Sequence, residues 1–425
     1  MRMPTSNDRA CQLDDEDALR AFRDEFFLVP GTIYMDGNSL GLLSKRAERT
    51  LHETLEAWKT LGIDGWLGGA HPWYHLSEEL GAFAAPLIGA RAKETLITGS
   101  TSVNLHQLLA TFFRPTGRRT KILIEEAAFP TDAYAVMSHL QLHGLDPAQH
   151  LVVVPSGGGT RLDEAAVCTA MTDEVAMAVL PVVLYRTGQR LDTKRLTAEA
   201  RAKGIVMCFD ACHSFGALPH AWHDEDVDCG IFCTYKYGNG GPGAVAGLFV
   251  HERHLGTAPG LPGWFSSAKD RQFDMSNDFT PADSAGAYQI GTPHILSMAP
   301  LLGAFELIHE AGIERIRAKS LSLTSFMMEL IDTELAELGF SIATPREPER
   351  RGGHVALRHA EAARICKALK DASVIPDFRP PNIIRLCPAP LYGTFAEVAE
   401  VVRVLKEIAV RQNYLKYPNV RELVA

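Results

Sequence analysis

Long apolar runs are missing from this chain. The longest strongly apolar stretch, Val175 to Tyr185, falls well short of the roughly 18 residues a membrane span needs, so no transmembrane helix is expected. The first 20 positions, MRMPTSNDRACQLDDEDALR, lack an apolar signal core and turn acidic. They fit neither a secretory signal nor an Arg-rich transit peptide, and a cytoplasmic protein is expected. Cysteine is scarce: eight residues (11, 168, 208, 212, 229, 233, 366 and 387) among 425, expected to be mostly free thiols in a reducing compartment. A basic excess is also absent. The 42 Lys+Arg against 51 Asp+Glu give a formal charge of -9, which disfavours nucleic acid or an anionic membrane as main partner and leaves small molecules as the expected ligands. No self-similarity at 20 to 50 residues is visible and no low-complexity run exceeds Gly157-Gly158-Gly159, so repeat folds are set aside.

What is present is ordinary globular material, 46% hydrophobic and 22% charged. From about Glu94 onward, short apolar runs (ETLITG, KILIEE, LVVVP, VAMAVLPVVLY, GIVMCFD, CGIFCTY, GAVAGLFVH) alternate with helical patterns. Near-continuous β-branched runs separated by helices predict a parallel-dominated sheet covered on both faces. After Pro293 the pattern changes to long helices with apolar residues three and four apart, then to a smaller series of strand, helix, strand and helix. The expected architecture is α/β: an N-terminal segment (1–60) packing on the small lobe, a large domain (61–300) and a small C-terminal domain (301–425).

In an open α/β sheet, ligands bind beyond the carboxyl ends of the strands. Four polar segments follow apolar runs there: GSTSVNLH, FPTD, FDACHS and TYKYGNGGPG. In the first, Ser100, Thr101 and Ser102 open a helix, where hydroxyls and free backbone N–H groups hold a phosphate or simply cap the helix. Asp210 ends a buried strand, with His213 three residues on; such a carboxylate pairs with a protonated ring nitrogen or caps a turn. Lys236 lies between Tyr235 and Tyr237. Desolvation there is expected to lower its pKa toward a nucleophilic amine; otherwise it snorkels to the surface. Taken together and in this chain order, a phosphate cradle, an acid for a pyridine nitrogen and a desolvated lysine form the kit of a pyridoxal 5′-phosphate (PLP) enzyme.

Competing motifs fail their own context. Gly238 to Gly243 satisfies GxGxxG, but a strand-like run follows and the string contains proline, so dinucleotide binding is rejected. Cys208/Cys212 and Cys229/Cys233 are C-x3-C pairs, yet residues four apart in a strand are separated by roughly 13 Å, and buried free cysteines are expected in place of zinc. His71/His75 lacks the glutamate of a metalloprotease motif, and no metal is expected. No GxSxG elbow or Walker A loop occurs.

The segments YMDGNSLG (34–41), GSTSVNLHQLL (99–109), FPTD (129–132), TGQRLD (187–192), FDACHSFGALPH (209–220), TYKYGNGGPG (234–243), LPGW (261–264), IGTPHIL (290–296) and IIRLCPAPLYGTF (383–395) closely resemble the kynureninase family. The resemblance runs from about residue 30 to the C-terminus. It implies a fold-type I, aminotransferase-like homodimer that hydrolyses L-kynurenine or 3-hydroxy-L-kynurenine to anthranilate or 3-hydroxyanthranilate and L-alanine, in tryptophan catabolism. Lys236 then resembles the Schiff-base lysine, Asp210 the pyridinium partner with His213 beside it, and Phe129 the ring-stacking aromatic with Asp132 nearby. Thr101 and Ser102 resemble the cofactor pair at the helix start, and Tyr235 the phosphate-linked tyrosine that also acts as an acid. Trp264 and Thr292 match cofactor contacts the family supplies from the partner subunit, and Arg385 matches the arginine that grips the substrate carboxylate. Trp66, Trp73 and Tyr74 are candidates for the aryl pocket. One departure stands out: Pro181 occupies a position where the family has Thr or Ser. A different fold-type I reaction, cysteine desulfuration or transamination, would use the same lysine and aspartate, and a non-catalytic protein on the same fold would lack the lysine.

Overall fold

A computed structural model describes residues 6–420. The first and last five positions of the expected terminal units lie outside the described residues. Helix α1 (Ser6–Asp15), strand β1 (Ile33–Tyr34), α2 (Lys45–Leu61) and α3 (Leu76–Ala84) precede the main sheet. That sheet contains β2 (Thr95–Ile97), β3 (Lys121–Glu125), β4 (Leu151–Val154), β5 (Val175–Pro181), β6 (Val206–Asp210), β7 (Cys229–Phe232) and β8 (Gly247–Val250). Between them lie α4 (Thr101–Phe112), α5 (Pro130–Leu142), α6 (Pro147–His150), α7 (Glu164–Ala170) and α8 (Thr193–Ala202). The strand order is β2-β8-β7-β6-β5-β3-β4. Neighbours from β4 to β7 run parallel, whereas β8 is antiparallel to both β7 and β2.

The alternation of side chains explains why these runs are apolar on both faces. Leu123, Ala178, Leu180, Met207, Phe209 and Phe232 belong to one buried cluster, whereas Ile122, Ile124, Met177, Val179, Cys208 and Ile231 belong to another. The apolar run after Glu174 does not stay extended to Tyr185 as its composition predicts. Strand β5 ends at Pro181, and Val183 turns back to bridge Arg190.

Helices α9 (Ile295–Ala311) and α10 (Ile313–Glu334) follow, with the turn at Gly312. Helix α2 packs along α9 at a close crossing, where a Cβ on Gly303 would lie 2.2 Å from the Arg46 carbonyl oxygen. The chain then builds β9 (Ser341–Ile342), β10 (Val355–Arg358), α11 (Ala362–Asp371), β11 (Val374–Ile375), β12 (Asp377–Arg379), β13 (Ile383–Leu386) and α12 (Phe395–Arg411). A four-stranded antiparallel sheet of order β12-β13-β10-β9 shares a third core with α10, α11 and α12. The N-terminal segment reaches this region: α1 lies against α12, β1 pairs with β11, and Asp36 bridges Cys387. Among the described residues no helix is long and apolar enough to cross a membrane.

Candidate active site

All four polar segments after the strands meet at one cavity of about 220 Å³. Ser100, Thr101 and Ser102 line it from the start of α4, where Ser100 caps the helix by accepting from the Val103 amide at 3.4 Å. A helix of this length leaves unpaired N–H groups and a positive dipole end there, a ready site for an anion. Phe129, Thr131 and Asp132 enter from the first turn of α5, with Ser102 Oγ 3.1 Å from Thr131 Oγ1. Asp210 closes β6 and accepts from the Cys212 amide at 2.7 Å, which bends the chain so that His213 faces the cavity. Lys236 and Tyr235 follow β7, and Lys236 Nζ lies 3.1 Å from His213 Nε2. Pro181 also lines the cavity, in register with Asp210 across β5 and β6, so a pyrrolidine ring stands where a Thr or Ser would have placed a hydroxyl.

The electrostatics here are set by burial and by close anionic groups. Burial, then Asp210, pushes the Asp132 carboxyl well above the usual carboxylate range. That direction favours the protonated form of Asp132 beside Asp210, since two adjacent buried carboxyls resist both being ionised. Burial and then Lys236 push His213 well below the ordinary imidazole value, so its ring is neutral. With Nε2 facing the Lys236 ammonium, the proton sits on Nδ1, a buried atom with no hydrogen-bond partner. Lys236 differs from the sequence expectation of a depressed amine. Burial does act in that direction, but Cys233, Cys212, Tyr235 and Asp210 outweigh it and hold the amine above its ordinary value. Tyr235 is pushed up to about 12, chiefly by burial, and keeps its phenolic proton at neutral pH.

Arg385 does not line this cavity. It is fully buried behind Tyr185, donating to the Tyr185 carbonyl at 2.7 Å, to Ser39 Oγ at 3.0 Å and, from Nε and Nη2, to Asp377. Arg379 binds the same Asp377 oxygen at 3.0 Å. Burial, then Asp377, pushes the nearby Asp36 carboxyl up to about 6. Trp264 and Thr292 likewise stand apart from Lys236. They line a second, mostly apolar cavity of about 940 Å³ together with Trp66, Tyr74 and Phe265. Trp73 lies behind Trp66, with ring centroids 5.8 Å apart.

Comparison with known proteins decides the family. Residues 316–405 match the kynureninase C-terminal domain model. The chain is 58% identical over 416 residues to a kynureninase of Geobacillus thermodenitrificans and 57% identical over 416 residues to one of Bacillus anthracis, in both cases covering 98% of this chain and 97% of the relative. This chain belongs to the kynureninase family. Solved structures show the fold more widely. A cysteine desulfurase from Thermococcus onnurineus superposes with a TM-score of 0.76 at 19% identity, covering 92% of this chain and 98% of that one. The C–S lyase C-DES, with glycine covalently linked to its PLP cofactor, gives a TM-score of 0.76 at 18% identity over 90% of this chain and 98% of that one. The kynureninase family chain thus has the fold-type I architecture of PLP enzymes.

Several groups around the cavity escaped sequence reasoning. Glu125, Val183 and Tyr185 line it, and Cys212, read from sequence as a buried core thiol, opens onto it. Glu125 and Tyr185 carry the same signal as Asp210, a polar residue closing an apolar run. Asp377 and Arg379 are not singled out by the sequence; the pairing of β12 with β13 sets Asp377 opposite Arg385.

Proposed function

We propose that this chain hydrolyses L-kynurenine, or its 3-hydroxy derivative, to anthranilate or 3-hydroxyanthranilate and L-alanine, with PLP held in the Lys236 cavity. The observation that carries the reading is the convergence of Lys236, Asp210 and the start of α4 on one cavity in a full-length member of the kynureninase family. The cavity suits the cofactor: the unpartnered His213 Nδ1–H is a donor awaiting an acceptor, and beside Gly243, at φ +71°, a Cβ would meet nothing within 4 Å. Thr101 and Ser102 would take the phosphate, Phe129 the ring face, and Asp210, with Asp132 beside it, the pyridinium proton. When bound, PLP supplies an electron sink conjugated to the substrate α-carbon.

The chain's own groups supply the rest. Lys236 Nζ would move the α-proton; water added to the γ-carbonyl keeps that carbon as the carboxyl of anthranilate when the bond to the β-carbon breaks, and Tyr235 would deliver a proton to the β-carbon. Arg385 binds the α-carboxylate through its remaining Nη1 hydrogen or by exchange with Ser39 Oγ. Cysteine desulfuration has support at the level of fold alone, and the cysteine beside Arg385, Cys387, is buried with Sγ 3.6 Å from Tyr237 Oη. Purified protein with PLP is expected to release anthranilate from L-kynurenine; sulfide from L-cysteine, or keto acid from an amino donor, with no anthranilate would contradict the reading.

A second copy of the chain completes the site in this proposal. Support comes from Trp264 and Thr292, which face an apolar cavity away from Lys236 of their own chain, and from the exposure of Leu67, Trp264 and Phe273 around it. Trp264→Ala is therefore expected to weaken PLP binding about tenfold, some 1.4 kcal/mol, by equilibrium titration of the dimer. Sedimentation as a monomer, or unchanged affinity, would refute it.

A further inference from the structure

The two C-x3-C strings have a relation that runs across strands. The parallel register of β6 and β7 sets Cys208 against Cys229. The ladder continues past the strand ends, with the Ala211 amide donating to the Ile231 carbonyl at 2.8 Å, so the same register sets Cys212 against Cys233. Neighbouring residues on paired strands are about 4.8 Å apart, inside the roughly 4.4–6.8 Å Cα window of a disulfide. Cys233 Sγ points back at its neighbour, donating to the Cys212 carbonyl at 3.5 Å. Only one of the two pairs meets the cavity. Cys208 and Cys229 lie in the apolar core, whereas Cys212 lines the cavity with its Sγ 3.9 Å from Thr101 Oγ1.

We propose that Cys212 and Cys233 are a modification site in the floor of the cavity, a dithiol that a hydroperoxide converts to a disulfide and that bound cofactor shields. The shielding half rests on the reading that this cavity holds PLP. Burial opposes ionisation of Cys233, yet its hydrogen bond with Cys212 and the Lys236 charge hold the thiol below its ordinary value. Cys212 lines the cavity and is the thiol a small oxidant meets, while the Cys233 thiol beside it, with its thiolate character, is placed to resolve the product. Cys212 sulfur attacks an oxygen of hydrogen peroxide: an S–O bond forms as the O–O bond breaks, leaving a sulfenic acid and the first water. Cys233 sulfur then attacks that sulfur, the S–O bond breaks, and its hydroxyl leaves with the Cys233 proton as a second water. Two electrons and two hydrogens pass from the thiols to the peroxide. The new bond would tie the loop between Asp210 and His213 to the segment that carries Lys236 and would draw Cys212 away from Thr101.

The test uses full-length protein, cofactor-free and PLP-loaded, exposed to hydrogen peroxide, quenched with an alkylating agent and mapped by peptide mass. A Cys212–Cys233 linked peptide, reversed by dithiothreitol, is expected to form about ten times faster in the cofactor-free protein. Cys233→Ala should leave Cys212 at the sulfenic or sulfinic stage with no linked peptide. Absence of the linked peptide from cofactor-free protein overturns the dithiol site, and equal rates in the two forms overturn the shielding. Failure to take up PLP, seen as no change in visible absorbance, would instead overturn the cofactor reading, while the peptide map of the cofactor-free protein would still decide the dithiol site by itself.

Discussion

Lys236→Ala is expected to lower kcat by about three to four orders of magnitude, the scale of a lost proton-transfer group, while the protein stays folded. The lysine lines the cavity, touches His213 and faces a phenol, two thiols and a carboxylate, so nothing else described in the cavity offers an amine at that position. Lys236→Arg separates two roles. It keeps the positive charge opposite Asp210 but cannot give up a proton near neutral pH, so it should be as inactive as the alanine variant. Steady-state rates and melting curves on the same preparations check this. An active, folded Lys236→Arg would show that charge alone is needed and would remove Lys236 from the proton-transfer role.

Arg385→Ala should damage both binding and folding. Asp377 is fully buried, and its Oδ1 has no hydrogen-bond partner. Removing Arg385 leaves Asp377 with Arg379 as its other cation and strips a donor from the Tyr185 carbonyl. Breaking a buried pair by deleting one partner costs about 3–5 kcal/mol, to be read as a lower denaturant midpoint. The conservative Arg385→Lys retains a cation for Asp377 but lacks the planar fork that takes a carboxylate with two parallel hydrogen bonds. It should therefore stay folded and raise KM about 10- to 100-fold with a smaller change in kcat. A folded Arg385→Lys with unchanged KM would place carboxylate recognition elsewhere, with Arg379 the nearest other guanidinium.

The contrast between these two residues shows what a linear sequence can carry. Lys236, Asp210, Phe129 and Thr101 were legible because each closes or follows an apolar run, and in a parallel sheet the carboxyl ends of such runs gather at one edge. The partners that govern their behaviour were not. Lys236 looks desolvated among aromatic neighbours in sequence, but its ionisation depends on Cys212, Cys233 and Asp210, which reach it through the register of two strands. Arg385 was legible only through the family resemblance, as an arginine for the substrate carboxylate, and nothing in the sequence shows that in the fold it is locked by Asp377, eight positions earlier, and by Ser39 from the opposite end of the chain. The thiol pairs make the same point: read along one strand they are too far apart to interact, read across two they are neighbours. Trp264 and Thr292 line a cavity separate from that of Lys236, a placement no reading of their sequence positions discloses.

The most direct test of the account is product analysis of the PLP-loaded protein acting on L-kynurenine, with anthranilate followed by fluorescence and alanine by amino-acid analysis. Cleavage between the β- and γ-carbons predicts the two products in equal amounts, and their loss together in Lys236→Ala. Substrate consumed without anthranilate, or alanine formed without its aromatic counterpart, would contradict it.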